Sequence, residues 1–159
     1  MDSQRIEGGQ TVIRVFTYAI AVLAIAAVYQ AGAADAIFKP LTSSPGDAAR
    51  GKTIVISREG GHCILCHHLP ADEVKVFGNV APALDGVGSR LTVAQLRQRV
   101  VDITAVNPQA VMPAFHRSRG LQRVAGEYRD QPVLNAQQVE DVVAYLATLK
   151  ATPKATPKN

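Results

Sequence analysis

The sequence predicts a small all-α domain in which three helices are joined by long loops. Three observations carry this. Two stretches place apolar residues at helical steps behind a capping pair. A third is a helix-length run that starts after Pro45-Gly46 and stops at Gly60-Gly61. The segments between them hold Gly and Pro but no period-2 alternation that would argue for strands. Of the 159 residues, 47% are hydrophobic and 19% charged, a balance that excludes disordered and fibrous chains. Aromatics make up only 5% and Trp is absent, so a core of protein side chains alone must lean on Val, Leu, Ile and Ala. Loops this long in so small a domain need something to pack on.

The first helix is expected over Asp47 to Arg58, with Ala48, Ile54 and Val55 as its apolar residues. The second runs from Thr92 to Ile103. Thr92 and Gln95 have the spacing of a capping box, and Leu96, Val100 and Ile103 recur at steps of four and three. The third, Asn135 to Leu149, repeats the arrangement with Asn135 and Gln138. Its stripe is Val139, Val142, Val143, Leu146 and Leu149. These bound a folded unit at residues 46–150. Residues 34–45, with Lys39-Pro40 and Ser43-Ser44-Pro45, read as a flexible N-terminal arm. Residues 151–159 (ATPKATPKN) cannot bury enough surface to offset ordering and read as a disordered tail.

Residues 1–33 have the pattern of a signal peptide. Arg5 and Arg14 precede Val15–Val28, an uncharged run, and Ala31-Gly32-Ala33 supplies small residues for cleavage before Ala34. The run is shorter than the roughly 17–25 residues of a spanning helix, so no stable membrane anchor is expected. Export implies a periplasmic location, or one otherwise outside the cytoplasm. Cleavage would leave 15 Lys+Arg against 11 Asp+Glu, still +4. That charge is scattered and builds no nucleic-acid footprint.

The chemistry lies in Gly61-His62-Cys63-Ile64-Leu65-Cys66-His67, a C-x-x-C-H pattern. Given two cysteines and four histidines, chance produces it about three times in ten thousand, so it is read as a haem c attachment motif. Two thiols on one helical turn can each add to a porphyrin vinyl group, and the next residue, His67, can reach the iron. Both thiols become thioethers, which removes them from disulfide exchange and nucleophilic attack. Three rival readings compete with it. A thioredoxin-like pair needs a βαβ unit, zinc needs a second ligand pair at the usual spacing, and a purely structural cysteine pair is the third.

After cleavage Met112 is the only methionine, in Val111-Met112-Pro113-Ala114-Phe115. A thioether suits the iron of an electron carrier, so Met112 is the candidate sixth ligand, with His116 as its competitor. His62 and His68 flank the motif and are read as surface residues or as supports of the ligands. Gly78-Asn79-Val80-Ala81-Pro82 is either an ordinary turn or the source of a backbone carbonyl for His67 Nδ1–H. Phe115, Arg117 and Arg119 are candidates for an exposed docking face.

At these residues the chain resembles class I cytochromes c. GHCILCHHLP, GNVAPALDGVGSR, VMPAFHR and GLQRVAGEYRDQPVLNAQQVEDVVAYLATLK, in that order, are similar to the X subunits of the sulfur-oxidising SoxAX cytochromes. The resemblance implies a class I cytochrome c fold around one covalently attached haem c. It implies that Cys63 and Cys66 hold the haem, that His67 and Met112 are the axial ligands, and that the Pro82 carbonyl orients His67. It places the helix bearing Tyr145 across the N-terminal helix. It also implies a partner, the A subunit, which couples thiosulfate oxidatively to a cysteine of a carrier protein. This chain would then be the non-catalytic electron-transfer subunit of an L-cysteine S-thiosulfotransferase, accepting electrons and passing them to another cytochrome. No catalytic residue is identified in the chain. A free-standing periplasmic carrier of a respiratory chain is the alternative, and a haem sensor with a displaceable Met112 a third reading.

Overall fold

Asp47 opens the first helix by accepting hydrogen bonds from the Ala49 and Arg50 N–H groups, satisfying donors that a helix start leaves orphaned. The computed structural model describes residues 35–70, 74, 76–122, 124–126 and 129–151. The signal segment at residues 1–33 and nearly all of the tail lie outside them. The helices and the cysteine turn all belong to the unit that begins at Ala36.

Its elements are α1 (Ala48–Ile56), a 3-10 turn (Cys63–Leu65), α2 (Val87–Arg90), α3 (Val93–Asp102), a second 3-10 turn (Ile103–Ala105) and α4 (Ala136–Thr148). Among the described residues there is no strand. Both expected capping boxes form: Thr92 with Gln95 opens α3, and Asn135 with Gln138 opens α4. The expected helices are each trimmed by a residue or two, because the cap residue itself is non-helical. Among the described residues, only the helix α2 is additional to the expected set. Its four residues are too few for a periodic signal, and it is held from outside. Gly88 N–H donates to Leu149 O (3.0 Å), and Lys150 Nζ donates to Gly88 O (2.7 Å).

Helix α4 is the centre of the packing. Val139, Val142, Val143, Tyr145 and Leu146 are buried against Val55 of α1, Leu96 and Val100 of α3, Val87 of α2, and Leu69, Phe115 and Leu134 from the loops. Burying each Val or Leu of this stripe contributes about 1.5–3 kcal/mol. The crossing of α1 over α4 is close enough to require glycine: a Cβ on Gly51 would lie 1.9 Å from Asp141 O and 3.0 Å from Tyr145 Cβ.

Two adjacent acids of α4 hold its neighbours. Asp141 accepts from Arg50 Nε (2.7 Å) and Nη2 (2.8 Å) of α1, and from the Asp47 N–H (2.8 Å). Glu140 accepts from Arg97 Nε (2.7 Å) and Nη2 (2.9 Å) of α3, and from the Leu41 N–H (2.9 Å). The second pair is buried, with side chains only 5% and 7% exposed.

Residues 36–45 differ from the loose arm that their composition suggests. Ile37 N–H donates to Ala94 O (3.0 Å), Arg97 Nη1 donates to Ile37 O (2.6 Å), and Thr42 Oγ1 donates to Gln137 Oε1 (2.9 Å). These partners lie about 60 to 100 positions away in sequence, so local composition carries no trace of them.

Candidate functional site

The turn bearing the cysteines continues directly from α1. Gly61 N–H donates to Ile54 O (3.2 Å) and His62 N–H to Ser57 O (3.2 Å), which reverses the chain. His62 then takes a left-handed conformation (φ 57°) and opens the 3-10 turn. In such a turn side chains three apart eclipse, which puts residues 63 and 66 on the same side. His67 N–H donates to Cys63 O (2.9 Å), extending the turn by one residue, so both sulfurs and the imidazole come from a single coil. Both cysteines are free; Cys66 is exposed and Cys63 half-buried, its S–H donating to Gly61 O (3.4 Å). Burial pushes the Cys63 thiol up to about 11, which is the opposite of the low-pKa thiolate of a thioredoxin-like pair. Among the described residues no group of three or more His, Cys, Asp or Glu is placed to hold a metal ion, so the zinc reading finds no ligand set.

A second segment runs along this turn like a strap. Gly78 N–H donates to Ile64 O (2.8 Å), Ala81 N–H to Cys66 O (3.0 Å) and Leu84 N–H to His68 O (2.9 Å). The approach depends on glycine. A Cβ on Gly78 would sit 2.0 Å from Leu65 O and 2.8 Å from Cys66 Cα. The strap brings the Pro82 carbonyl within 2.6 Å of His67 Nδ1. A carbonyl oxygen can only accept, so Nδ1 carries the proton and Nε2 is left with its lone pair for a metal.

Met112 lies in a loop that is fixed just past it, at Phe115 and His116. Phe115 N–H donates to Val100 O (3.3 Å) and His116 N–H to Val101 O (3.2 Å), tying the loop to α3. Leu134 N–H donates to Phe115 O (2.8 Å), and His116 Nδ1 donates to Leu134 O (2.8 Å), tying it to the entrance of α4. His116 thus serves as a link between two backbone segments. Met112 packs against the core and lines a cavity of about 380 Å³ with Ala114, Arg117, Leu121, Val124 and Val133. Arg117 donates from Nη1 to Asp102 Oδ2 (2.9 Å), while its Nε is buried without an acceptor. Of the three docking candidates, Phe115 is buried in the core and Arg117 is half-buried in this way, which leaves only Arg119 exposed. The signal for Arg117 is its place five residues past Met112; its pairing with Asp102 cannot be read from spacing.

The residues fit a haem. Exposed large apolar side chains concentrate around the two loops: Leu65, Val76, Phe77 and Val80 beside the cysteines, and Val111 (90% exposed) and Val133 beside Met112. An apolar disc covers such groups, and its acid side chains can satisfy the unpaired Arg117 Nε. The donor set is two thiols, one imidazole nitrogen with its tautomer fixed, and one thioether.

Comparison with known proteins agrees with this geometry. Residues 48–150 match the Cytochrome c family model. No curated protein matches the chain. Among solved structures, a chain from the crystal structure of SoxXA from P. pantotrophus is 38% identical and superposes with a TM-score of 0.69, over 74% of this chain and 91% of that one. A helical fold carrying a C-x-x-C-H turn, a family match across the whole folded unit and that level of identity together mean that the chain belongs to the cytochrome c family, with the X subunits of SoxAX-type cytochromes.

Proposed function

We propose that this chain is the electron-transfer subunit of a thiosulfate-oxidising heterodimer. As a cytochrome c it has one covalently bound haem c as its cofactor. Cys63 and Cys66 would hold that group through thioethers, and His67 Nε2 and Met112 Sδ would bind its iron. When bound, the haem supplies a reversible one-electron store. The Pro82 carbonyl fixes the His67 ring and tautomer through the 2.6 Å hydrogen bond, which makes Nε2 the better electron donor to a metal. The proline following Met112 stiffens the loop just past the sulfur. Arg117 Nε–H is the donor suited to an acid group of the cofactor.

With His67 and Met112 both binding the iron, substrate would have no place at the metal. Catalysis therefore belongs to the partner, an A subunit that couples thiosulfate to a cysteine of a carrier protein and releases two electrons. A chain storing one electron at a time passes them on in successive single transfers, which requires a downstream acceptor cytochrome. Residues 1–33 direct the chain to the periplasm, where they are removed near Ala33/Ala34; residues 46–150 are the cytochrome domain.

The observation that carries this reading is the 38% identity to a SoxXA chain over 91% of its length. Co-expression with an A subunit tests it. The expected result is a stable 1:1 complex in which thiosulfate and the carrier protein reduce this chain. A haem-loaded monomer that ignores the A subunit and stays oxidised would overturn it in favour of a free-standing carrier.

A further inference from the structure

The histidine after the candidate axial ligand has a joint of its own. His68 Nδ1 lies 2.6 Å from Asp85 Oδ2, and its ring meets Phe77 edge-on, with centroids 4.2 Å apart and planes at 83°. Phe77 and Asp85 stand at the two ends of the strap whose middle carries Pro82. One side chain on the attachment turn therefore grips the strap both before and after the carbonyl that His67 uses. Arg90 secures the same corner from α2, donating to the carbonyls of Ala83 (3.0 Å) and Asp85.

We propose that His68, Asp85 and Phe77 form a clamp that positions the Pro82 carbonyl against His67 Nδ1, making His68 and Asp85 positioning residues for the axial ligand. This rests on the reading that His67 binds the iron. The His68–Asp85 pair is half-exposed, with side chains 41% and 46% accessible. Such pairs add little to global stability, so the clamp acts locally, on the geometry of one hydrogen bond. Releasing the strap weakens the pull on Nδ1–H, makes His67 a poorer electron donor and raises the reduction potential.

The test uses the haem-loaded protein in its reduced, diamagnetic state, and follows solvent exchange of the His67 Nδ1 proton by NMR alongside a redox titration. Asp85→Ala should speed exchange about tenfold, the order expected for loss of one modest hydrogen-bond restraint, and raise the midpoint potential. Asp85→Asn removes the charge but keeps an oxygen acceptor for His68, and should stay at the wild-type exchange rate. His68→Ala, which also loses the Phe77 contact, should speed exchange at least as much as Asp85→Ala, and the double variant should not exceed His68→Ala, because one joint cannot be broken twice.

Unchanged exchange in Asp85→Ala, equal effects of the Ala and Asn variants, or additive effects of the two Ala variants would each overturn the clamp. Should Asp85→Ala fail to retain its cofactor, His68→Ala against wild type decides by the same exchange rate. A wild-type protein with haem attached but no ring-current-shifted His67 proton would instead overturn the ligand assignment, leaving the two failures distinguishable.

Discussion

Gly78→Ala is the substitution that most directly separates a built site from a chance turn. The added Cβ would lie 2.0 Å from the Leu65 carbonyl oxygen, and backbone cannot swing aside as a long side chain can. The closest carbon–oxygen contacts that proteins tolerate are about 3.3 Å, so the strap must retreat by about 1.3 Å. The Gly78–Ile64 hydrogen bond at 2.8 Å would then exceed 4 Å. Ala81–Cys66 (3.0 Å) and His67–Pro82 (2.6 Å) follow within a few residues. Three hydrogen bonds at about 0.5–1.5 kcal/mol each amount to a loss of roughly 2–4 kcal/mol. For a domain of this size that lowers Tm by roughly 10 °C. The midpoint potential should rise with it, because His67 loses its acceptor. Thermal melts and redox titrations of the haem-loaded variant measure both. Gly126→Ala is the control, since nothing lies within 4 Å of its built Cβ, and it should melt like the wild type. A Gly78→Ala protein with the Tm and potential of the control would refute the account of the strap.

Three further outcomes follow from particular contacts. Met112→Ala should lower the midpoint potential and let reduced iron bind carbon monoxide; an unaltered potential and visible spectrum would remove Met112 as a ligand. Arg97→Met leaves the Glu140 carboxylate buried with only the Leu41 N–H, and should cost about 3–5 kcal/mol in denaturant unfolding, while Arg97→Met with Glu140→Leu should recover most of it. Asp141 is held at about 2 by its hydrogen bonds to Arg50, which outweigh burial. A carboxyl lowered on folding stabilises above its unfolded value and loses that contribution as pH falls from about 4 towards 2. Asp141→Asn should therefore be less stable than wild type at pH 7 and show a shallower loss of Tm across that acid window, read from melts at stepped pH.

What is legible in the sequence is whatever repeats at short range. The capping boxes at Thr92 and Asn135 are four-residue patterns, and the Val139–Leu149 stripe is a periodicity, so α3 and α4 can be read almost to the residue. The Cys63–His67 spacing is local as well, and its turn follows from the same arithmetic. The ion pairs of Glu140 and Asp141 are not legible. Glu140-Asp141 in an amphipathic helix looks like the solvated face, and only the folded chain reveals that Arg97 and Arg50 come from helices over 40 and 90 positions away. The same holds for residues 36–45, whose Pro and Ser suggest a free arm but whose backbone groups are bonded to α3 and α4. The Asp85 joint to His68 leaves no mark either, because a lone aspartate in a Gly-rich loop is an ordinary turn residue.

The placing of those two acids explains how a chain with so few aromatics can hold the cysteine turn and the methionine loop in register. Successive residues on a helix point about 100° apart, so Glu140 and Asp141 reach opposite neighbours, α3 and α1, from one place on α4. Each also binds a backbone N–H of the incoming N-terminal segment, at Leu41 and Asp47. The C-terminal end of α1 runs straight into the attachment turn through Ile54 and Ser57, and the end of α3 holds the methionine loop through Val100 and Val101. The separation between the Cys63–His67 turn and Met112 is thus set by helix ends fixed to α4, together with the core packing of Ile64 and Phe115. An electron carrier gains from this, since ligands anchored to a rigid frame move little between oxidation states, and little nuclear rearrangement then opposes each transfer. Breaking the Arg97–Glu140 pair should consequently slow electron exchange even where the haem remains attached, by loosening the frame on the methionine side only.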